Sequence, residues 1–392
     1  MSGDSIVRFK TVGAIWLFLI GSTLAWPMAQ SANAQMFFGG YGYQTYFSDI
    51  GTEFPYVSSI LSGEESARFE RLLYDKLPTQ TASGTPILKQ GLATLSEAPL
   101  VFGLVFTSET VHIETISDSH KLLVILNAQL LVFDFNRSEI VASFPISARF
   151  IDVLAAPPTD RDVSALMRLA LSSTSETSIS TQFLKKVRTS KTPNTSTRMI
   201  RVTDVHVPED AMNRLGKSSN PEAFKRRLAD EFSAKLSTNQ GIAVLPANMS
   251  QAINNSMAAT MSNGTVYNIS IPDTDYSIDI SLDGLKKVEY ATTNVGTTYI
   301  YGAFATFKFL EPYSGNVFFD EQLKLGQPLS VPKTVIIDGD SLAYAETIDK
   351  LFDEFTREIG KQNKQWAKAH INSAKSPQDS MKKLTELIEA CR

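Results

Sequence analysis

Leu122-Leu-Val-Ile-Leu-Asn-Ala-Gln-Leu-Leu-Val-Phe-Asp-Phe135, then Asn136-Arg137-Ser138, then Glu139-Ile-Val-Ala-Ser-Phe-Pro-Ile-Ser-Ala-Arg-Phe150, is the stretch whose reading decides the fold. Two runs dense in aliphatic and aromatic side chains, joined by a short polar connection, predict two neighbouring antiparallel strands. Residues 100–106 and 111–116 precede them with the same composition, so the four segments form a meander.

Working outward from the meander, the periodicity changes to that of helices. Phe69, Leu72, Leu73 and Leu77 recur at helical spacing over residues 66–77. Beyond the meander, Asp160 opens a short helix whose apolar face is Val163, Leu166, Met167 and Ala170. A second set follows: a strand over 199–207, then a helix carrying Phe224, Leu228, Phe232 and Leu236, then a short buried strand over 241–246. Strands resume at 276–282, 286–291, 298–310 and 316–325, before a long helix from Ser341 with its stripe at Ala345, Ile348, Phe352, Phe355 and Ile359. Residues 248–268, rich in Asn, Ser, Met and Ala, read as a weak helix or a loop.

The order helix, strand, antiparallel meander, helix therefore occurs twice, which points to an internal repeat whose second copy carries an insertion between Asn248 and Asp275. The predicted class is α+β: two tandem domains, each a mostly antiparallel sheet packed with helices. The expected divisions are an export segment over 1–34, an amino-terminal arm over 35–65, a first domain over 66–171, a linker over 172–198, a second domain over 199–372 and a tail helix over 373–392. The linker is assigned because Ser and Thr crowd that stretch while aliphatic residues are sparse.

The first residues set the compartment. Arg8 and Lys10 lead an apolar run over 12–26, too short for a bilayer core that needs about 20 apolar residues, and Ala32-Asn33-Ala34 offers small side chains for cleavage before Gln35. An exported protein of the periplasm or cell exterior is expected, with 392 − 34 = 358 residues after cleavage and no later segment apolar enough to span a membrane as a helix. The sole cysteine, Cys391, lies far from any lipidation position, so a lipid anchor is not expected; an internal disulfide is excluded, and only a link between two chains is left open. With 37 basic against 41 acidic residues, the chain has no general attraction for polyanions, which argues against nucleic acid as a partner.

Just after the cleavage position comes a glycine-spaced aromatic segment containing Phe37, Phe38, Tyr41, Tyr43, Tyr46 and Phe47. These six are the candidate partner-binding residues, since exposed aromatics favour docking; the competing reading packs them on their own domain. The partners expected are other envelope proteins or further copies of the chain.

The second half is similar to a periplasmic α/β domain found in the amino-terminal part of TolB, the curli secretion channel and some flagellar ring proteins. The likeness rests on Ile200-Arg-Val-Thr-Asp-Val205, Phe224-Lys-Arg-Arg-Leu228, Gly241-Ile-Ala-Val-Leu245, Tyr299-Ile-Tyr-Gly-Ala-Phe304 and Glu311-Pro-Tyr-Ser-Gly315. It implies a role in binding envelope proteins or in oligomerisation, with no catalytic residues to carry over; the absent lipidation cysteine departs from many members.

One motif tests the enzymatic alternative. Gly339-Asp340-Ser341-Leu342 after a β-branched strand resembles the nucleophile block of GDSL esterases, in which a serine is activated by a distant histidine. Only 51 residues follow Ser341, and no Asn-Asp dipeptide or Asp-x-x-His block accompanies it, so Asp340 or Ser341 reads instead as a helix cap. His112 and His120 lie in adjacent strand segments without metal-ligand spacing and read as solvated, and Lys225-Arg226-Arg227 reads as a solvated helix face. No catalytic residue, cofactor site or metal site is assigned.

Overall fold

The computed structural model describes residues 35–88, 100–191, 197–215, 220–247, 256–336, 339–372 and 376–392. The export segment over 1–34 lies outside the described residues.

The first half runs β1 (Met36–Tyr43), α1 (Ile50–Glu53), α2 (Pro55–Ile60), α3 (Glu64–Lys76), β2 (Ile87–Leu88), β3 (Leu100–Ile116), β4 (Ser119–Asp134), β5 (Glu139–Leu154), α4 (Asp160–Ser172) and α5 (Ile179–Thr189). The second runs β6 (Ile200–His206), α6 (Glu209–Arg214), α7 (Pro221–Gln240), β7 (Ser256–Met261), β8 (Val266–Ser270), β9 (Tyr276–Thr292), β10 (Gly296–Glu311), β11 (Asn316–Pro332), α8 (Ser341–Glu358), α9 (Lys364–His370), β12 (Ile371–Asn372) and α10 (Pro377–Ala390). The strands make two mixed sheets, one ordered β2-β1-β3-β4-β5-β8-β7 and the other β12-β11-β10-β9-β6, and with the helices they form an α+β fold.

Both sheets follow one plan. A leading strand, β1 or β6, runs parallel to the first strand of a three-stranded antiparallel meander. On its other edge a short parallel pairing recurs, Met36 with Ile87 and Arg201 with Leu245. The agreement reaches individual residues. The β4–β5 register slips between the pairs Val132–Ala142 and Phe133–Ile140, and the β10–β11 register slips between Phe309–Phe319 and Leu310–Val317, the same positions displaced by 177. The turn residue in left-handed backbone moves by that same displacement, from Ser138 at φ 50° to Gly315 at φ 71°. A bulge on the meander's first strand also recurs: Thr107 is skipped between Phe106 and Ser108, and Asp283 between Leu282 and Gly284. A bulge adds local twist, so two bulges at matched places give two sheets of matched curvature.

The insertion foreseen in the second copy is the β7–β8 hairpin, and its backbone bonds go to the other sheet: Gly42 and Tyr43 of β1 pair with Met261 and Thr260 of β7, and Glu139 of β5 pairs with Ser270 of β8. Residues 256–270 are thus strands rather than a weak helix, while 248–255 lie outside the described residues.

The layers stack as α2–α5, first sheet, α7 and α8, second sheet. One face of the first sheet packs on α2–α5 through Phe102, Leu126, Met167 and Phe183. Its opposite face meets α8 through Leu123, Ile125 and Leu342. Helix α7 is buried nearly all round, with Phe232 stacked on Phe307 of the second sheet and Glu231 turned to Arg149 of the first. A helix clasped on two sides holds residues 34–392 in one compact unit.

Three sequence expectations change. The amino-terminal arm is the strand β1 followed by α1, α2 and the start of α3; within it, Gly42 is required because a Cβ there would lie 2.6 Å from the Thr260 carbonyl oxygen. Glycines therefore let β7 close on β1 while Phe38, Tyr41 and Tyr43 point to the helices. The Ser/Thr-rich linker contains α5, whose Ile179, Phe183, Leu184 and Val187 are buried on the first sheet, so a few well-spaced apolar residues sufficed. The tail helix α10 is part of the second core through Met381, Leu384, Leu387 and Ile388.

Candidate functional site

Of the six aromatic candidates, four are interior. Phe37, Phe38, Tyr41 and Tyr43 are buried in β1, where Tyr41 packs edge-on against Phe69 and donates a hydrogen bond to Ser66 Oγ at 2.7 Å. Burial pushes the Tyr43 phenol well above its ordinary value. Only Tyr46 and Phe47, past the end of β1, reach the surface, at 57% and 66% exposure. Tyr46 edges a cleft of about 450 Å³ formed with Asp49, Glu53, Glu222, Arg226 and Met257, in which Arg226 pairs with Glu53 at 3.7 Å.

A larger surface, which sequence patterning did not single out, is the outward face of the second sheet. Along β10, Tyr301, Ala303, Ala305, Phe307 and Phe309 point into the core, so Ile300, Gly302, Phe304 and Thr306 point away from it. The registers place Val288, Ile300 and Pro328 in one cross-strand row and Gly284, Phe304 and Lys324 in another. Lys286 sets its ammonium 5.1 Å from the Phe304 ring centroid. Ile300 and Phe304 are only half buried and join none of the core clusters.

In the first copy the equivalent rows are covered. His112 and Leu123 occupy the places of Val288 and Ile300, and above them lies a seam of partly buried charge. Arg149 Nη2 is 3.4 Å from Asp349 and 4.0 Å from Glu231, and Lys121 Nζ is 2.6 Å from Glu346. Burial, and then the Arg227 and Arg149 guanidiniums, lower His112 to about 4, so it stands neutral in the seam rather than solvated. It does not face His120: His112 pairs with Leu123, whereas His120 pairs with Thr115. Arg227 likewise is not a solvated residue, since its guanidinium lies 4.6 Å from the Phe224 ring and 3.8 Å from Glu231.

Ser341 is the first residue of α8 and no histidine hydrogen-bonds it among the described residues; His370 Nδ1 is bound to the Lys324 carbonyl oxygen at 2.9 Å. Asp340 is the residue before the helix, but its side chain does not cap it. Its carboxylate instead accepts from Tyr301 at 2.6 Å and Lys287 at 2.7 Å, tying the helix start to the second sheet. Among the described residues no group of three or more His, Cys, Asp or Glu side chains is placed to hold a metal. No helix among them is long and apolar enough to cross a membrane.

No family model and no curated protein matches the chain. Solved structures do. A minor lipoprotein of Acinetobacter baumannii is 10% identical, covering 44% of this chain and 95% of its own, with a TM-score of 0.20. A DUF330 protein of Xanthomonas campestris is 13% identical, covering 44% and 93%, with a TM-score of 0.21. A neuraminyllactose-binding hemagglutinin homologue of Helicobacter pylori is 12% identical, covering 51% and 95%, with a TM-score of 0.21. The resemblance to the amino-terminal TolB domain is not confirmed by these matches.

Proposed function

We propose that the chain is an exported, non-enzymatic assembly component of the bacterial envelope, without a lipid anchor, that holds another protein on the outward face of its second sheet. The observation carrying this reading is the contrast between equal positions: Leu123 lies beneath Leu342 of α8, while no described element covers Ile300. An apolar row of Val288, Ile300, Pro328 and Phe304 framed by Lys286 and Lys324, on a rigid sheet, has the make-up of a binding surface. The strand edges add to it unequally. Beyond Ser281, β9 has no partner on its outer edge among the described residues, whereas Pro328 and Pro332 deny donors to β11. Tyr46, at the edge of the cleft it forms with Arg226, and the exposed Phe47 next to it in sequence supply a second aromatic contact.

Sedimentation and envelope pull-down of the chain test this, with Val288→Ser plus Phe304→Ser as the comparison. The double variant should fold normally and lose the self-association or the partner seen with the parent. Identical behaviour of the two proteins removes the surface from consideration, and ester hydrolysis abolished by Ser341→Ala would replace the reading with a hydrolase.

A further inference from the structure

The two halves match in their covering helices as closely as in their sheets. Val163, Leu166, Met167, Ala170 and Leu171 of α4 are buried at the places of Tyr344, Thr347, Ile348, Leu351 and Phe352 of α8, each displaced by 181. That alignment also fixes which side chains the two helices turn away from their own sheets: Leu342, Glu346 and Asp349 of α8 correspond to Arg161, Ala165 and Arg168 of α4. In α8 those three residues hold the first sheet. Leu342 packs on Leu123 and Ile125, Glu346 takes Lys121 at 2.6 Å, and Asp349 takes Arg149 at 3.4 Å. In α4 the two arginines and the alanine are exposed.

The open face of the second sheet suits the chemistry of α8 and opposes that of α4. Gly302 stands opposite Gly326; the Phe304 ring lies 3.5 Å from where a Cβ of Gly302 would be, and the Ile300 methyl 3.0 Å from that of Gly326. Nothing projects from this row, so another backbone can come close. Lys286 belongs to the same row, and Lys324 stands opposite Phe304. Both ammonium groups are exposed, and neither pairs with a carboxylate within 4.0 Å among the described residues. Asp283, the acid at the β9 bulge, is engaged by the Thr306 hydroxyl and the Gln322 amide, each at 2.7 Å. A second copy docking through α4 as α8 docks would bring Arg161 and Arg168 to Lys286 and Lys324, and like charges across an interface repel.

Resting on the reading of this face as a binding surface, we propose that its occupant is a different protein that docks an acidic amphipathic helix. An aliphatic residue of that helix lies on Ile300 and Phe304, and carboxylates one and two turns later meet Lys286 and Lys324.

The probe is a stapled helical peptide on an alanine and glutamine background, with Leu, Glu and Asp at the spacing of Leu342, Glu346 and Asp349. It is titrated against the full chain by fluorescence anisotropy, beside a twin with lysine at both acidic places. The acidic peptide should bind at least about tenfold more tightly than its twin, a margin that two surface charge pairs supply and that shrinks with salt. Lys286→Glu plus Lys324→Glu, at exposed positions that leave the fold intact, should reverse the preference. Val288→Ser plus Phe304→Ser should weaken both peptides. Equal affinity for the two peptides, or binding of neither, overturns the acidic helix. Self-association of the chain that Lys286→Glu plus Lys324→Glu abolishes also overturns it, because a second copy is then the occupant. The binding surface itself falls only if Val288→Ser plus Phe304→Ser also leaves envelope capture and self-association unchanged.

Discussion

Leu123 and Ile300 hold the same place in two copies of one meander, yet Leu123 is fully buried beneath Leu342 of α8 while Ile300 stands half exposed on an open sheet face. Leu123→Ala should cost about 3 kcal/mol, as a core truncation does, and Ile300→Ala below about 1 kcal/mol. Urea denaturation of the two variants measures the difference; equal costs would show that Ile300 is covered after all.

The charged seam predicts an asymmetric response. Arg149→Ala removes the guanidinium shared by Asp349 and the buried Glu231, leaving Glu231 only Arg227, and should destabilise by about 2 kcal/mol, whereas Arg137→Ala, on an exposed turn, should cost less than about 0.5 kcal/mol. Chemical denaturation midpoints of the two variants decide.

His112 gives a pH signature. The unfolded chain takes up this proton near 6.5 and the folded chain only near 4, so between those values the unfolded state binds more protons and stability falls as pH drops. Asp230, raised by burial, pulls in the opposite sense over the whole of that range, so the informative quantity is the difference from a variant. His112→Gln should lose less stability than the parent between pH 6.5 and pH 4; parallel curves would place His112 in solvent.

Gly42→Ala should weaken the β1–β7 contact, because the added methyl would sit 2.6 Å from the Thr260 carbonyl oxygen. A loss of about 2 kcal/mol, with amide exchange of Met257 to Met261 accelerated before that of β3, is the expected pattern. Unchanged exchange in β7 would contradict the close approach.

Cys391 is buried at 2% exposure, and burial pushes its thiol up to about 12, so the link between two chains that the sequence left open has no accessible thiol in the folded state. A thiol reagent should label it only at the rate of unfolding. Stoichiometric labelling within seconds under native conditions would refute this.

Much of the fold was legible because it depends on local periodicity. The apolar runs of β4 and β5, the stripe of α8 and the repeated order of elements all follow from the side-chain alternation that burial imposes on strands and helices. The same local view failed for residues 37–43 and 172–198, where composition suggested an arm and a linker. Glycine spacing looks like flexibility until the strand that needs the space is known, and α5 shows that four apolar side chains on one face outweigh many serines.

What the sequence determined by itself was thus the class of fold, the doubled meander and the hydrophobic face of each element. Tertiary structure alone decided which of two equal sheet faces is covered and that α7 carries its charges inward. The reason is physical: periodicity records that a face is apolar or polar, but burial depends on what arrives from distant parts of the chain, as β7 does at β1 and α8 does at β4.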